Sequence, residues 1–349
     1  MNISAEKKWK KFHARLVGTL VHLDEPQVVL LDHGFDAKII GVAIDKYGYD
    51  YPFLGAEISF TQLQRYHREF VDLRYLFLMP KWKKWYIFDL GKMDAAGSIP
   101  LRIASQAEYT NEEHLPAAGF FARNHTHALD VDPIEASQKQ TYLIDGSWSP
   151  TDLSTFFGKI NDLYSFFLGL KKFTSPNATI EQQRKLIDAF TEHALRGGSS
   201  YVSFYTDLKN LLGIDERLAM GGIKKESPGY VTIEGRGEIL EELIQAFTIY
   251  NKNLNEIREL YKDLHSYLSK MGLLKAGPDF YGISLASTEQ IRRYSSKISE
   301  LLEIDYELIE LLTHQHPLLS AKILLSHCRR LEKYTLFFTE GRVKLPPKS

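Results

Sequence analysis

A single cysteine, Cys328, in 349 residues excludes an intramolecular disulfide framework, a zinc site built on several thiolates and a paired-cysteine redox centre. A reducing compartment fits that economy. Neither charge sign dominates: 43 Lys and Arg stand against 44 Asp and Glu, a formal net charge of −1, so affinity for nucleic acid or a membrane surface has to come from a local patch. No apolar run is long enough to cross a bilayer, since the most apolar helical stretch, Phe156 to Leu170, is interrupted by Lys159, Asn161 and Asp162. The opening MNISAEKKWKKFHARL has the positive charge of a secretion signal, but no apolar core or cleavage site follows. A cytoplasmic location without membrane association is the expectation. Also missing are the GxSxG nucleophile turn, the HExxH zinc helix and the GxxxxGK[ST] phosphate loop, as well as solenoid repeats and low-complexity tracts. No reaction is therefore written in the chain, and neither a catalytic residue nor a cofactor is expected.

What is present is a globular composition, 44% apolar, 25% charged and 12% aromatic, in a chain long enough for more than one core. From His13 to Leu54 short apolar runs alternate with turn residues, which predicts a small antiparallel sheet. Ser59 is placed to cap a helix over Phe60–Phe70, and KWKKWYIFDL and IPLRIASQAEY return to strand character. Between about Thr110 and Pro150 the text turns polar and loses its period. Ser149-Pro150-Thr151-Asp152 then supplies an N-cap, a proline at the first helical position and an acid in the first turn. Thr179 with Gln182 has capping-box spacing, and IKKESPGYVTIEG reads as two strands around a Ser-Pro-Gly turn. The fold class expected is α+β: a strand-dominated domain over 1–120, a connector over 121–148, a helical segment with a β-hairpin insert over 149–236, and a long helical hairpin or three-helix bundle over 237–349.

The strongest pattern follows Gly237. Leu240, Leu243, Phe247, Tyr250, Leu254, Ile257, Tyr261, Leu264, Leu268 and Met271 recur at alternating spacings of three and four, with no proline or glycine before Gly272. That is a heptad seam, predicting one helix of about 35 residues and roughly 50 Å. A second seam runs through Ile291, Tyr294, Ile298 and Leu301, meets Asp305 where an apolar residue is due, and resumes at Leu308 and Leu312. Ser287 with Gln290 is the expected cap of that helix, and His316-Pro317 its end. The seams either satisfy one another within the chain or dock a second copy or another protein. On the second alternative the partner-binding residues are Leu243, Phe247, Tyr250, Leu254, Ile257, Tyr261 and Leu264.

Three further clusters bear on chemistry. His125, His127, Asp130 and Asp132 are the one local group with metal-ligand character, and the string HTH resembles the first motif of metal-dependent phosphoesterases and amidohydrolases. They fall in the expected connector, where rigid support is least available, so convergence on an ion is not expected. Gly235-Arg236-Gly237 precedes a helix but lacks the spacing of a dinucleotide fingerprint, and Cys328 falls on an apolar helical seam, as an inert core thiol would. Lysines interleave with aromatics at Lys7, Lys8, Trp9, Lys10 and Lys11 and at Lys81, Trp82, Lys83, Lys84 and Trp85. Lysines neutralise phosphates and exposed indoles stack on bases, so Lys8, Lys11 and the 81–85 cluster are candidate nucleic-acid contacts, although strand alternation divides Trp82 and Trp85 between faces.

QVVLLDHGFDAKIIGVAIDK, YDYPFLGAEIS, FTQLQRYHREFVDLRYLF and EEHLPAAGFF resemble an uncharacterised bacterial domain family of unknown function, over roughly the first third of the chain. GSWSPTDLSTFFGKINDLYSFF and SPGYVTIEGRGEILEEL resemble modules of uncharacterised bacterial proteins, some associated with conflict or anti-phage systems. The resemblance implies a modular accessory protein and carries no catalytic residue. The function expected is a non-catalytic interaction or scaffold subunit of a multi-component system that oligomerises or docks a partner through its long helices. A nucleic-acid-binding module is the second reading and a metal-dependent hydrolase the third.

Overall fold

In the computed structural model the chain is described over residues 12–34, 37–81, 84–125, 137–192, 201–213, 216–226, 228–276 and 282–346. It divides into two compact units, Met1–Pro133 and Ile134–Ser349. The fold is α+β, strand-rich in the first unit and helix-rich in the second.

The alternating segments of the first unit close into a barrel of six antiparallel strands in sequence order: β1 (Phe12–His22), β2 (Pro26–Asp32), β3 (Ala37–Ala43), β4 (Pro52–Ser59), β5 (Trp85–Asp89) and β6 (Ser98–Ile103). Pairing of Phe12 with Leu101 and Arg15 with Ser98 joins the first strand to the last and removes both sheet edges. Alternate residues serve two cores. Ala14, Val29, Leu31, Ile39, Phe53, Phe88 and Leu101, drawn from all six strands, fill the interior. Leu30, Ile40, Leu54, Ile58 and Ile87 of the opposite parity pack with Tyr66, Leu76 and Phe77 of α1 (Phe60–His67) and α2 (Leu73–Leu78). Ser59 caps α1 as expected, its side chain accepting from the Gln62 amide while Gln62 closes the capping box. At Gly55 an added Cβ would stand 2.6 Å from Ile39 and 2.9 Å from the Phe88 ring, so the interior aromatic occupies the space a side chain would need.

The second unit is built on a four-stranded sheet in the order β10-β7-β9-β8, with β7 (Ser137–Ile144), β8 (Ala219–Lys224), β9 (Gly229–Arg236) and β10 (Val343–Lys344). The expected hairpin forms as β8 and β9. The stretch 121–148, expected to be a connector, instead contributes β7, which pairs along its whole length with β9. Its polar look comes from its first three residues, Ser137, Gln138 and Lys139, which are exposed, while Tyr142 and Ile144 at its other end are buried. The helices are α4 (Pro150–Thr174), α5 (Ile180–Glu192), α6 (Val202–Leu211), α7 (Gly237–Lys252), α8 (Leu254–Lys270), α9 (Leu285–Leu301), α10 (Tyr306–Leu312) and α11 (Pro317–Thr339), with one short turn, α3 (Gln106–Tyr109), in the barrel unit. Ser149 and Thr179 cap α4 and α5 as their spacing indicates.

Three further expectations need correction. The long helix after Gly237 is interrupted at Asn253 (φ −103°, ψ 15°), whose side-chain amide donates to the Leu301 carbonyl at 2.8 Å. The second seam is likewise two helices. α9 begins before the expected cap, with Ser284 accepting from the Ser287 amide, and ends at Leu301. Asp305 is polar because it is the N-cap of α10, accepting from the Leu308 amide at 3.1 Å.

Candidate functional site

The heptad residues face inward. Leu243, Tyr250, Ile257 and Leu264 are buried in the core of their own unit, with Phe247, Leu254 and Tyr261 packed half-buried around it. Their cover is α11 and α9: the Phe247 ring lies 4.2 Å from that of Phe338 and 6.0 Å from that of Tyr334. The outer side of α8, with Glu256, Arg258, Glu259 and Lys262 exposed, is a solvated charged face.

The basic-aromatic clusters fare differently from their reading as a stacking platform. β1 and β5 run in the same direction, each being antiparallel to β6, so both strands start at the same end of the barrel. Trp85, however, stacks on Tyr109 at 4.1 Å between centroids and donates its indole N–H to the Phe77 carbonyl at 2.8 Å. Lys84 stands 3.6 Å from Glu57, a buried carboxylate that also accepts from the Tyr86 hydroxyl at 2.6 Å. Lys8, Lys11, Trp82 and Lys83 lie outside the described residues.

Of the metal-ligand string only His125 is described, His127, Asp130 and Asp132 lying outside. Its Nε2 is hydrogen-bonded to the Tyr66 hydroxyl, and burial, with His67 nearby, holds its pKa down at about 4. Among the described residues no group of three His, Cys, Asp or Glu is arranged to hold a metal ion. At Gly235-Arg236-Gly237 the Arg236 amide, which a phosphate would need, donates to the Tyr164 hydroxyl at 3.0 Å. Cys328 is buried and its thiol pushed up to about 12 by that burial.

One buried charge cluster joins three helices. Asp162 on α4 accepts from Arg330 Nε of α11 at 2.8 Å and from Lys209 of α6 at 2.9 Å, with Lys159 at 3.4 Å. The Arg330 guanidinium lies 3.5 Å over the Tyr205 ring. Removing Asp162 would leave the buried Arg330 guanidinium without its carboxylate, which is costly away from water.

Open space lies elsewhere in the helical unit. A cleft of about 330 Å3 is enclosed by the C-terminal half of α4, the exposed side of α7 and the turn between α9 and α10. Phe167, Leu170, Ala246, Ile249, Leu302, Ile304 and Leu308 make its apolar walls, and Lys171, Thr174, Glu242, Gln245, Glu303 and Asp305 its polar ones. Glu242 makes no hydrogen bond with any described residue; burial raises its pKa, Lys171 opposes that rise and Glu238 adds to it. Glu303 holds φ at +54° in the position after the α9 cap where glycine is usual, with the Ile304 amide bonded back to the Ser299 carbonyl at 2.9 Å. Lys171 and Thr174 also border a second cleft of about 490 Å3 reaching the start of α5. There the charges satisfy one another, Lys172 with Glu216 at 2.6 Å and Arg236 with Glu238 at 3.1 Å.

Of these lining residues the sequence marks Phe167, Leu170 and Leu308 only as apolar helical positions, and Asp305 only as a break in a seam. Comparison with protein-family models, curated proteins and solved structures finds no match for this chain.

Proposed function

We propose that the chain is a non-catalytic interaction subunit of a larger assembly, docking a segment of another component in the groove formed by the two adjoining clefts of its helical unit. One observation carries this reading: preformed open space with an apolar floor and a few converging polar groups, which is how recognition sites are built. The heptad seam, the surface first expected to dock a partner, is already covered by α9 and α11 and offers little apolar area. The nucleic-acid reading draws less support, because Trp85 is engaged within its own unit.

A photo-crosslinking phenylalanine analogue tests the groove. Placed at Gln245, an exposed cleft residue, it is expected to yield an adduct with one protein component on irradiation in the native host. At Glu259, on the charged outer face of α8, it is expected to yield none. Equal labelling at both positions, or no adduct at Gln245, removes the groove as the docking site.

A further inference from the structure

The sheet of the second unit leaves a strand edge open. β8 is an outer strand of six residues, and among the described residues it pairs on one side only, with β9. Such an edge carries a row of unused N–H and C=O groups that a further strand satisfies. The side chains of β8 state which strand fits.

Met220 pairs with Ile233 and Gly222 with Thr232, so Gly221 is an extra residue, a bulge in β8. The bulge brings Met220 and Ile223, three residues apart, onto the same side, opposite the buried Ile233 and Val231 of the core face. That face is covered over β9 and open over β8: Met220 is 54% and Ile223 47% exposed. On the other face the Glu234 carboxylate leans towards the open edge, its Oε1 2.6 Å from where a Cβ on Gly221 would stand, and its cross-strand neighbour is the small Ala219. Lys224, at the far end of β8, meets Glu226 at 2.9 Å, an exposed pair of little worth in water.

These features are complementary to themselves. Two copies of β8 run antiparallel about a two-fold axis at Gly222 set Gly222 opposite Gly222, Met220 opposite Ile223 and Ala219 opposite Lys224. Each opposed pair shares a face, because the bulge makes the inward and outward pattern symmetric about Gly222; without it Met220 and Ile223 would point to opposite sides and the faces would not match. The exposed Met220 and Ile223 of both copies then extend the apolar face begun by Val231 and Ile233, and each Lys224 reaches over Ala219 of the other copy towards its Glu234. Gly222 is not demanded by its own fold, since an added Cβ would stand 3.7 Å from Tyr230, an ordinary contact. A strand glycine of that kind suits a position where another backbone comes close.

We infer that the chain self-associates through β8, two copies joining their four-stranded sheets into one of eight strands. This is independent of the groove and stands or falls without it.

Sedimentation equilibrium of the full chain is expected to show a concentration-dependent dimer. Met220→Asp, a change at an exposed position, is expected to raise the dissociation constant at least about tenfold, by setting a carboxylate against Ile223 of the other copy, while the thermal unfolding of dilute protein stays in place. Met220→Asp combined with Ile223→Lys sets opposite charges face to face and is expected to recover most of the loss. Gly222→Cys reads the register. Opposed Cα atoms in an antiparallel pair stand about 4.5–5.5 Å apart, within reach of a disulfide, so mild oxidation is expected to link two copies through it. Lys224→Cys, roughly 13 Å along the strand from its counterpart, is expected to link none, and the buried Cys328 does not compete. A strict monomer at the highest soluble concentration would overturn the inference. So would a dimer indifferent to Met220→Asp, which would place the contact on another surface, or equal cross-linking through Gly222→Cys and Lys224→Cys, which would deny the register.

Discussion

His327 shows at the scale of one residue how burial sets pH dependence. Its ring is fully buried, its centroid 4.3 Å from that of Phe166 and 5.5 Å from that of Phe167, and neither nitrogen has a hydrogen-bond partner among the described residues. Burial, with the Arg330 charge adding to it, depresses its pKa to about 3, against about 6.5 for an ordinary imidazole. Between those values the unfolded chain binds a proton that the folded chain refuses. Stability is therefore intact above about pH 6.5 and falls as pH drops towards 3. The barrel unit's counterpart is His125, depressed to about 4 by burial and acting in the same sense. His327→Leu is expected to flatten the acid limb of the helical unit's unfolding curve and to raise stability at neutral pH by about 1 kcal/mol, because an apolar side chain leaves no unsatisfied nitrogen. Thermal unfolding followed by circular dichroism from about pH 3 to neutral checks both, and an unchanged acid limb would show that another group titrates.

At the scale of elements, Asn253 divides what the heptad spacing presents as one helix. Leu254 keeps its place in the seam across the break, so the period does not register it. α7 packs against α4 and α11, and α8 against α9 and α11, so α11 runs along both sides of the interruption. Asn253 also satisfies a carbonyl at the end of α9, where the helix leaves its last acceptors unpaired. Asn253→Ala is expected to cost about 1–2 kcal/mol, read by urea titration, from the unsatisfied Leu301 carbonyl. A loss within a few tenths of a kcal/mol would mean that water replaces the amide without penalty. The caps of α1, α4 and α5 were legible because they are local: a hydroxyl meets an amide three residues on whatever surrounds it. The α9 cap was misplaced because Ser284 and Ser287 both precede apolar spacing, and their mutual hydrogen bond at 2.9 Å decides between them.

At the scale of the whole molecule, the second unit is closed by its own extremities. Val343 of β10 pairs with Ile144 of β7 and is fully buried, while Arg342 lies 5.1 Å over Trp148 and 4.8 Å over Phe337. Val343→Asp would place a carboxylate where water does not reach, at an expected cost of about 2–4 kcal/mol. Because the barrel unit has a core of its own, calorimetry should show the helical unit's transition lowered and the barrel's unmoved. Two transitions falling together would contradict that independence.

The order of strand-rich and helix-rich halves, the β8–β9 hairpin and the start of α4 followed from the sequence alone, since proline geometry, caps and apolar period act within a few residues. Only the tertiary structure decided that the six strands close into a barrel, that β7 belongs to the second sheet and that the heptad seam is covered from within. The apolar period states that a face needs cover but not which surface supplies it. The cleft was hidden for a related reason: its walls come from α4, α7 and the α9–α10 turn, far apart in sequence, and meet only once those helices are packed.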